Sequence, residues 1–319
     1  MNDLLSVRVA RKTLVAEGIS SFELVPADGE TLPQYTAGAH VDVVTPSGHT
    51  RQYSLCSPAS ESRSYRIAVL KEPSGRGGSQ SMHNDVQEGD LIRISKPRNH
   101  FGLQDSGAAS LLFAGGIGIT PILAMAYELH AQGREFKLHY CTRSSARTAF
   151  QHELSAMFAD QARVYHDDGT SEDRFDLAGT LRDAPAGAHL YVCGPSGFID
   201  AVLSQARQAG WPDDRVHREF FSAAPVGTSG DGAFEVVVSS SGLVVPVAAD
   251  QSVVDALAKA GIEVMTSCEQ GVCGTCVTRI LEGTADHRDS FFTDAERAEG
   301  DQFTPCCSRA KSARLVLDL

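Results

Sequence analysis

No run of this sequence is apolar for long enough to cross a bilayer, which takes about 20 residues. Met1–Ser6 also lacks the basic start and long apolar stretch of a secretion signal. A reducing cytoplasm is the expected compartment. Positive charge is scarce: 28 Lys and Arg against 40 Asp and Glu leave a net charge of −12. That sign argues against a nucleic-acid partner. It suits a soluble surface or docking onto a basic protein. There is no Ser-His-Asp or paired-carboxylate constellation, and the 11 histidines are scattered, mostly in polar turns. Internal repeats, low-complexity segments and coiled-coil heptads are missing too. Catalysis by acid–base side chains alone finds no support.

What is present is a cluster of cysteines. The chain has eight, and three of them form Cys268-x4-Cys273-x2-Cys276. A further 29 residues lead to Thr304-Pro305-Cys306-Cys307. This is the ligand spacing of a plant-type [2Fe–2S] cluster, with three thiolates on one loop and the fourth from a distant segment. Gly271 and Gly274 let that loop curl so that N–H groups point at sulfide. A structural zinc site would want a second C-x2-C knuckle or nearby histidines. Spacing favours Cys306 over Cys307 as the fourth ligand. Cys56 and Cys141 read as small buried hydrophobes.

The first hundred residues read as β: Ser6–Thr13, Ser20–Val25, Gly38–Val44, Gln52–Cys56 and Tyr65–Leu70, punctuated by turns. Regularly spaced short strands point to a closed antiparallel barrel. Within it, Arg51 and Tyr53 share one face of a strand and Ser54 the other. A guanidinium can grip a phosphate in bidentate fashion. A glycine-rich turn, Gly75-Arg76-Gly77-Gly78-Ser79, precedes a helix start at Ser79–Asn84 and offers free N–H groups to an anion. Next, an apolar strand enters Gly115-Gly116-Ile117-Gly118-Ile119-Thr120-Pro121 and a helix, with Thr120 the expected N-cap, Pro121 the first helical residue and Gly133 the stop. Strands Phe136–Thr142, Ala162–His166 and His189–Cys193 alternate with helical patterns at Thr148–Ala159 and Gly197–Ala209, which predicts a parallel sheet. Cys193-Gly194-Pro195 ends a strand where open α/β sheets bind ligands. Val216–Phe221 is the last strand. Small and turn residues from Ser222 to Gly232 read as a linker. A hairpin (Phe234–Val238, Leu243–Val247), a helix (Ser252–Ala260) stopped by Gly261, strands Val277–Leu281 and Arg314–Leu317, and a capping box at Thr293–Glu296 complete the chain.

In this order, Arg51-Gln52-Tyr53-Ser54, Gly75–Ser79, Gly115–Pro121, Cys193-Gly194-Pro195 and the four cysteines resemble one family along nearly the whole chain. It is that of the class IA reductases of Rieske oxygenases, the phthalate dioxygenase and vanillate O-demethylase reductases. The resemblance implies an FMN-binding antiparallel β-barrel over 1–103 and an NAD-binding, ferredoxin-NADP reductase-like α/β domain over 104–224. A linker at 225–233 then leads to an α+β, β-grasp ferredoxin domain over 234–319. It further implies that Arg51, Gln52, Tyr53 and Ser54 hold FMN, that Ala68, Val69 and Lys71 border it through backbone contacts, and that Gly77, Gly78 and Ser79 meet its phosphate. Gly116 would face the cofactors, and Thr120 would lie near the flavin ring, where it or Ser54 could hydrogen-bond the reactive nitrogen. Thr142 and Arg143 would flank the adenosine half of NADH. Cys193, Gly194 and Pro195 would line the nicotinamide pocket. Phe221 would cover the flavin with Glu219 beside it, and Phe220 competes for that role. Cys268, Cys273, Cys276 and Cys306 would hold the [2Fe–2S] cluster. The sequence carries no C-x-H…C-x2-H Rieske pair and no two-His, one-carboxylate iron site. Electrons are therefore expected to pass to a separate Rieske-type oxygenase component. A stand-alone NAD(P)H diaphorase serving a small acceptor is the alternative.

Overall fold

The computed structural model describes residues 4–61, 63–73, 75–168, 175–221 and 231–319. Residues 225–230 of the expected linker lie outside them. The chain divides into two compact units, Met1–Glu219 and Phe220–Leu319.

The first unit opens with β1 (Leu5–Ala16), β2 (Ile19–Pro26), β3 (His40–Val44), β4 (Thr50–Ser54), β5 (Tyr65–Leu70), α1 (Gly78–Asn84) and β6 (Leu91–Ile94). The six strands form one antiparallel sheet in the order β4-β3-β6-β1-β2-β5. A bridge between Leu55 and Ile67 joins its two edges. That closes the sheet on itself, which removes both open edges. Alternation drives the packing: Val7 and Val9 point inward while Ser6 and Arg8 are exposed. They meet Phe22, Leu24, Val41, Val43, Tyr65, Ile67 and Met82 in one core. Each such side chain, fully buried, is worth about 1.5–3 kcal/mol.

The unit continues with β7 (Ser110–Gly115), α2 (Ile119–Ala131), β8 (Phe136–Thr142), α3 (Gln151–Met157), β9 (Ala162–His166), α4 (Leu177–Arg182), β10 (His189–Gly194), α5 (Ser196–Gln208) and β11 (Val216–Phe220). These strands line up as β11-β10-β7-β8-β9, with β10, β7, β8 and β9 parallel. Every residue of central β7 is buried, as a strand covered on both faces requires.

Two local expectations need correcting. Thr120 is not the cap of α2. Gly116–Gly118 already coil as a 3-10 turn, so the helix begins at Ile119 with Gly118 as its N-cap. The Thr120 hydroxyl instead donates back to the Ile117 carbonyl at 3.1 Å. Pro121 is tolerated because first-turn N–H groups have no helical acceptor. Second, α3 is shorter than the span Thr148–Ala159. Phe150 adopts a left-handed conformation, φ 60°, ahead of it, and the Thr148 hydroxyl is tied to Ser144 and His166.

The second unit contains β12 (Phe234–Val238), β13 (Val244–Val247), α6 (Val253–Lys259), β14 (Thr278–Glu282), β15 (Ala285–Asp286), α7 (Asp294–Glu299), β16 (Gln302–Phe303), β17 (Arg309–Ala310) and β18 (Arg314–Leu317). The main sheet runs β13-β12-β18-β14-β16, mixed because β12 and β18 are parallel. Val236, Val245, Val247, Leu257, Phe303, Leu315 and Leu317 fill its core. The Ser252 hydroxyl caps α6, and Gly261, φ 82°, follows it. The capping box at Thr293 and Glu296 forms as expected. Among the described residues no helix is long and apolar enough to cross a membrane.

Candidate functional site

The two phosphate-type motifs of the barrel meet in space. β4 pairs with β3, which sets Arg51 opposite Val43 and Tyr53 opposite Val41. The Arg51 side chain crosses directly over Gly78: a Cβ there would lie 2.7 Å from Arg51 Cγ and 3.0 Å from its Nε. Gly77 takes φ 86°, which a side chain would resist, and its vacant side faces His49 at 3.4 Å. Ser79 Oγ accepts the Glu72 N–H at 3.1 Å and so shapes the loop. Burial raises the Tyr53 phenol above its ordinary pKa, and Arg51 only partly opposes that. It therefore stays a hydrogen-bond donor at neutral pH. Gln52 points elsewhere, its amide 3.2 Å from His40 Nε2. Ala68 and Val69 are buried on β5. The Val69 carbonyl accepts from His83 at 2.8 Å, and Lys71 Nζ donates to Asn84 at 2.8 Å. Both contacts tie α1 to β5.

In the parallel sheet, the turn after β7 packs on the end of β10 with no room for side chains. A Cβ on Gly118 would sit 2.3 Å from the Cys193 carbonyl oxygen, and one on Gly194 would sit 2.9 Å from Gly115 Cα. Gly116 differs: its φ is 52° and the space beside it is open. A ligand can reach the backbone there, at the carboxyl ends of the strands. The Thr142 hydroxyl is spent internally on Thr148 at 2.8 Å, whereas Arg143 is exposed.

Ser54 Oγ donates to Glu219 Oε2 at 3.4 Å, joining the barrel to the last strand of the parallel sheet. Glu219 keeps partial solvent contact, yet its carboxyl lies deep. Burial pushes its pKa up to about 8, and the Ser54 hydrogen bond only partly offsets this. Burial, and then the neighbouring Glu219, push the Cys193 thiol up as well. Phe220 ends β11 and Phe221 follows it.

The Glu219 shift has a testable sign. From its ordinary 4.5 to about 8, the folded state retains a proton that the unfolded chain has released. In flavin-free protein, stability should decline as pH rises through that window, by a few kcal/mol in full. A Glu219→Gln variant should lack this decline. Denaturant unfolding of both proteins from pH 5 to 9 checks it, and parallel stability curves would refute the assignment.

In the second unit, Gly271 and Gly274 both take φ 70°. A side chain at Gly271 would strike Cys307 Sγ at 2.4 Å, and one at Gly274 the ring of Phe291 at 2.3 Å. Cys268 and Cys273 are neighbours, and Cys306 neighbours both Cys276 and Cys307. Backbone N–H groups of Gln270 and Thr275 reach Cys268 and Cys273 sulfur at 3.3 and 3.5 Å. Three thiols on this loop and a fourth from the Cys306 segment suit a [2Fe–2S] cluster, which Cys268, Cys273, Cys276 and Cys306 would hold and which would carry one electron at a time.

Cys307 contacts Cys306, but its sulfur is turned to Thr304 Oγ1 at 3.3 Å. Accordingly, Cys306→Ser should abolish the cluster's visible absorption and its iron content. Cys307→Ser should leave both intact, and the reverse outcome would reassign the fourth ligand.

One residue here escaped sequence reasoning. The Asp289 carboxylate accepts the Phe291 and Phe292 N–H groups at 3.1 and 2.9 Å and the Ser308 hydroxyl at 3.3 Å. Ser290 N–H donates to the Gly271 carbonyl at 2.9 Å. Together they wrap one segment around the cysteine loop. Its bonds to Phe291 and Phe292 are local, but Ser308 lies 19 residues on, beyond any local pattern.

Two family models match: a 2Fe-2S iron-sulfur cluster binding domain over residues 236–311, and the N-terminal domain of the dimethylamine monooxygenase subunit DmmA-like proteins over 92–216. The vanillate O-demethylase oxidoreductase of Pseudomonas sp. (strain HR199 / DSM 7063) is 52% identical over 317 residues, 99% of this chain and 100% of that protein. The phthalate dioxygenase reductase of Burkholderia cepacia is 41% identical over 317 residues, 99% of this chain and 97% of that one. A solved phthalate dioxygenase reductase, described as a modular structure for electron transfer from pyridine nucleotides to [2Fe–2S], superposes with a TM-score of 0.82 at 40% identity, covering 99% of this chain and 98% of that one. With identity of this degree running through both units, the chain belongs to the oxidoreductase family of the vanillate O-demethylase and phthalate dioxygenase reductases.

Proposed function

We propose that the chain is the reductase component of a two-component Rieske-type oxygenase or demethylase system, working in the cytoplasm. It takes electrons from NADH and delivers them through FMN and a [2Fe–2S] cluster to the oxygenase. The observation that carries the reading is that Cys268, Cys273, Cys276 and Cys306 are gathered within the segment that matches a 2Fe-2S cluster binding domain, residues 236–311. It occurs in a chain whose sequence has no terminal oxidation site, so electrons collected here have to leave. FMN, when bound, exchanges two electrons with a nicotinamide and one at a time with an iron–sulfur cluster.

The residues supply position and environment. Arg51, lying over Gly78, places its guanidinium where a flavin phosphate would be held. Tyr53, kept protonated, donates to the cofactor's polyol chain. The hydroxyls of Ser54 and Thr120, which here donate to Glu219 and to the Ile117 carbonyl, would turn to the flavin ring when it is bound. The open face at Gly116 admits the nucleotide, beside Gly115 and Gly194, which pack against one another. Cys193 and Pro195 bound the nicotinamide, and Thr142 and Arg143 the adenosine half.

Flavin released by denaturation should run as FMN on chromatography, and NADH should be used more efficiently than NADPH. A stoichiometric FAD peak would overturn the flavin assignment. A preference of about tenfold for NADPH, the size of effect a 2′-phosphate clamp produces, would overturn the nucleotide assignment.

A further inference from the structure

One buried ionic contact joins the two halves of the first unit and has no place in the machinery above. Arg66 leaves β5 and grips Glu153 of α3 in a two-pronged pair, Nη2 to Oε1 at 2.7 Å and Nη1 to Oε2 at 3.0 Å. The same Nη2 donates to the Cys56 carbonyl at 2.7 Å. Glu153 Oε1 also accepts the Tyr127 hydroxyl of α2. The guanidinium lies over the Phe150 ring, 5.0 Å from its centre. That ring is presented by the left-handed Phe150 backbone, φ 60°, which a bulky residue adopts only when its surroundings hold it there. Both charged side chains are about three-quarters buried, with 25% and 23% exposed.

The position of the pair matters more than its strength. The Cys56 N–H donates to the Arg66 carbonyl at 2.8 Å, beside the Leu55–Ile67 bridge that closes the barrel. Ser54 lies two residues before Cys56, and Ala68 two residues after Arg66. Arg66 is thus braced to both barrel strands assigned to the flavin. Glu153 sits on the helix that follows Thr142 and Arg143. Beside the pair, a shallow surface depression is lined by Val15 of the barrel and by Ala146, Phe150 and Glu153 of the sheet half. Near this depression, Arg147 and Glu17 meet at 3.2 Å, but that pair is exposed and holds little. The backbone bond from Glu17 N–H to the Ala146 carbonyl, 2.8 Å, is a single tie.

We propose that Arg66 and Glu153, with Tyr127, are positioning residues for electron entry. They fix the flavin-bearing barrel against the nucleotide-bearing sheet and so set the approach of nicotinamide to flavin. This rests on the assignment of FMN and NADH to those two halves. Each half has its own core, so breaking the pair loosens their alignment without unfolding either. Glu153→Gln keeps the shape while removing the counter-charge of the largely buried Arg66 guanidinium.

The test uses protein loaded with flavin and cluster, mixed anaerobically with saturating NADH in a stopped-flow instrument. Flavin content and NADH affinity should match wild type. The rate of flavin reduction should fall about tenfold, the sensitivity expected of a reaction that depends on near-contact geometry. The deuterium isotope effect with 4-deuterated NADH should rise, and reduction by dithionite should be unchanged. Arg66→Lys, which keeps the charge but loses the fork, should fall between, and it serves alone if Glu153→Gln does not accumulate as folded protein. A reduction rate within about twofold of wild type, or a loss that merely tracks missing flavin, would overturn the proposal. Wild-type protein that bound no flavin, or whose flavin NADH did not reduce, would refute the cofactor assignment itself. Normal wild-type reduction with an unaffected variant would refute only the positioning role.

Discussion

A Cys273→Ser protein should keep its NADH-dependent reduction of small dyes and lose its reduction of cytochrome and of the cognate oxygenase. Cys273 lies in the second compact unit, which has its own core around Val236, Leu257 and Leu315. The barrel and parallel sheet form the first unit and bury their apolar residues without it. Units with independent cores tolerate damage to one another. Losing one ligand leaves the four-cysteine donor set of Cys268, Cys273, Cys276 and Cys306 incomplete. Dyes that accept electrons from flavin directly should therefore react at close to the wild-type rate, while one-electron protein acceptors should fall to background. Loss of dye reduction with flavin retained would show that the cluster precedes the flavin. Undiminished activity toward the oxygenase would show that the second unit is not the exit.

Arg51→Ala should produce the opposite defect. The side chain lies against Gly78 within the loop assigned to the flavin phosphate. A charge-assisted hydrogen bond contributes about 1.5–3 kcal/mol, so FMN affinity should weaken by about 10- to 100-fold. Every NADH-dependent activity should fall together and return with added FMN, while the cluster spectrum stays intact. Fluorescence titration of flavin-free protein with FMN measures the affinity. Unchanged FMN binding would move the phosphate away from Arg51.

How much of this was legible in the sequence follows the reach of each interaction. The cysteine spacing, the glycines beside it and the Thr293 capping box are all local signals, and the structure shows the left-handed turns at Gly271 and Gly274 and the capping box. Most long strands were legible from alternation and turn residues, within a few residues at their ends, but β6, four residues lying between β3 and β1, was not. Thr120-Pro121 reads locally as a helix start. The preceding glycines coil first, however, because Gly118 packs against Cys193, a contact spanning 75 residues that no window contains. Arg66 and Glu153, 87 residues apart, carry no motif at either end. The meeting of Arg51 with Gly78 was legible only as two separate phosphate-type signals. Their convergence came from the fold.

The central claim is that electrons reach the cluster only by way of the flavin. It is tested most directly by mixing flavin-free Arg51→Ala protein, its [2Fe–2S] cluster intact, with excess NADH under anaerobic conditions while following the cluster's visible absorption. The account predicts that the cluster stays oxidised until FMN is added and then bleaches at a rate set by flavin occupancy. Bleaching at the wild-type rate without FMN would contradict it.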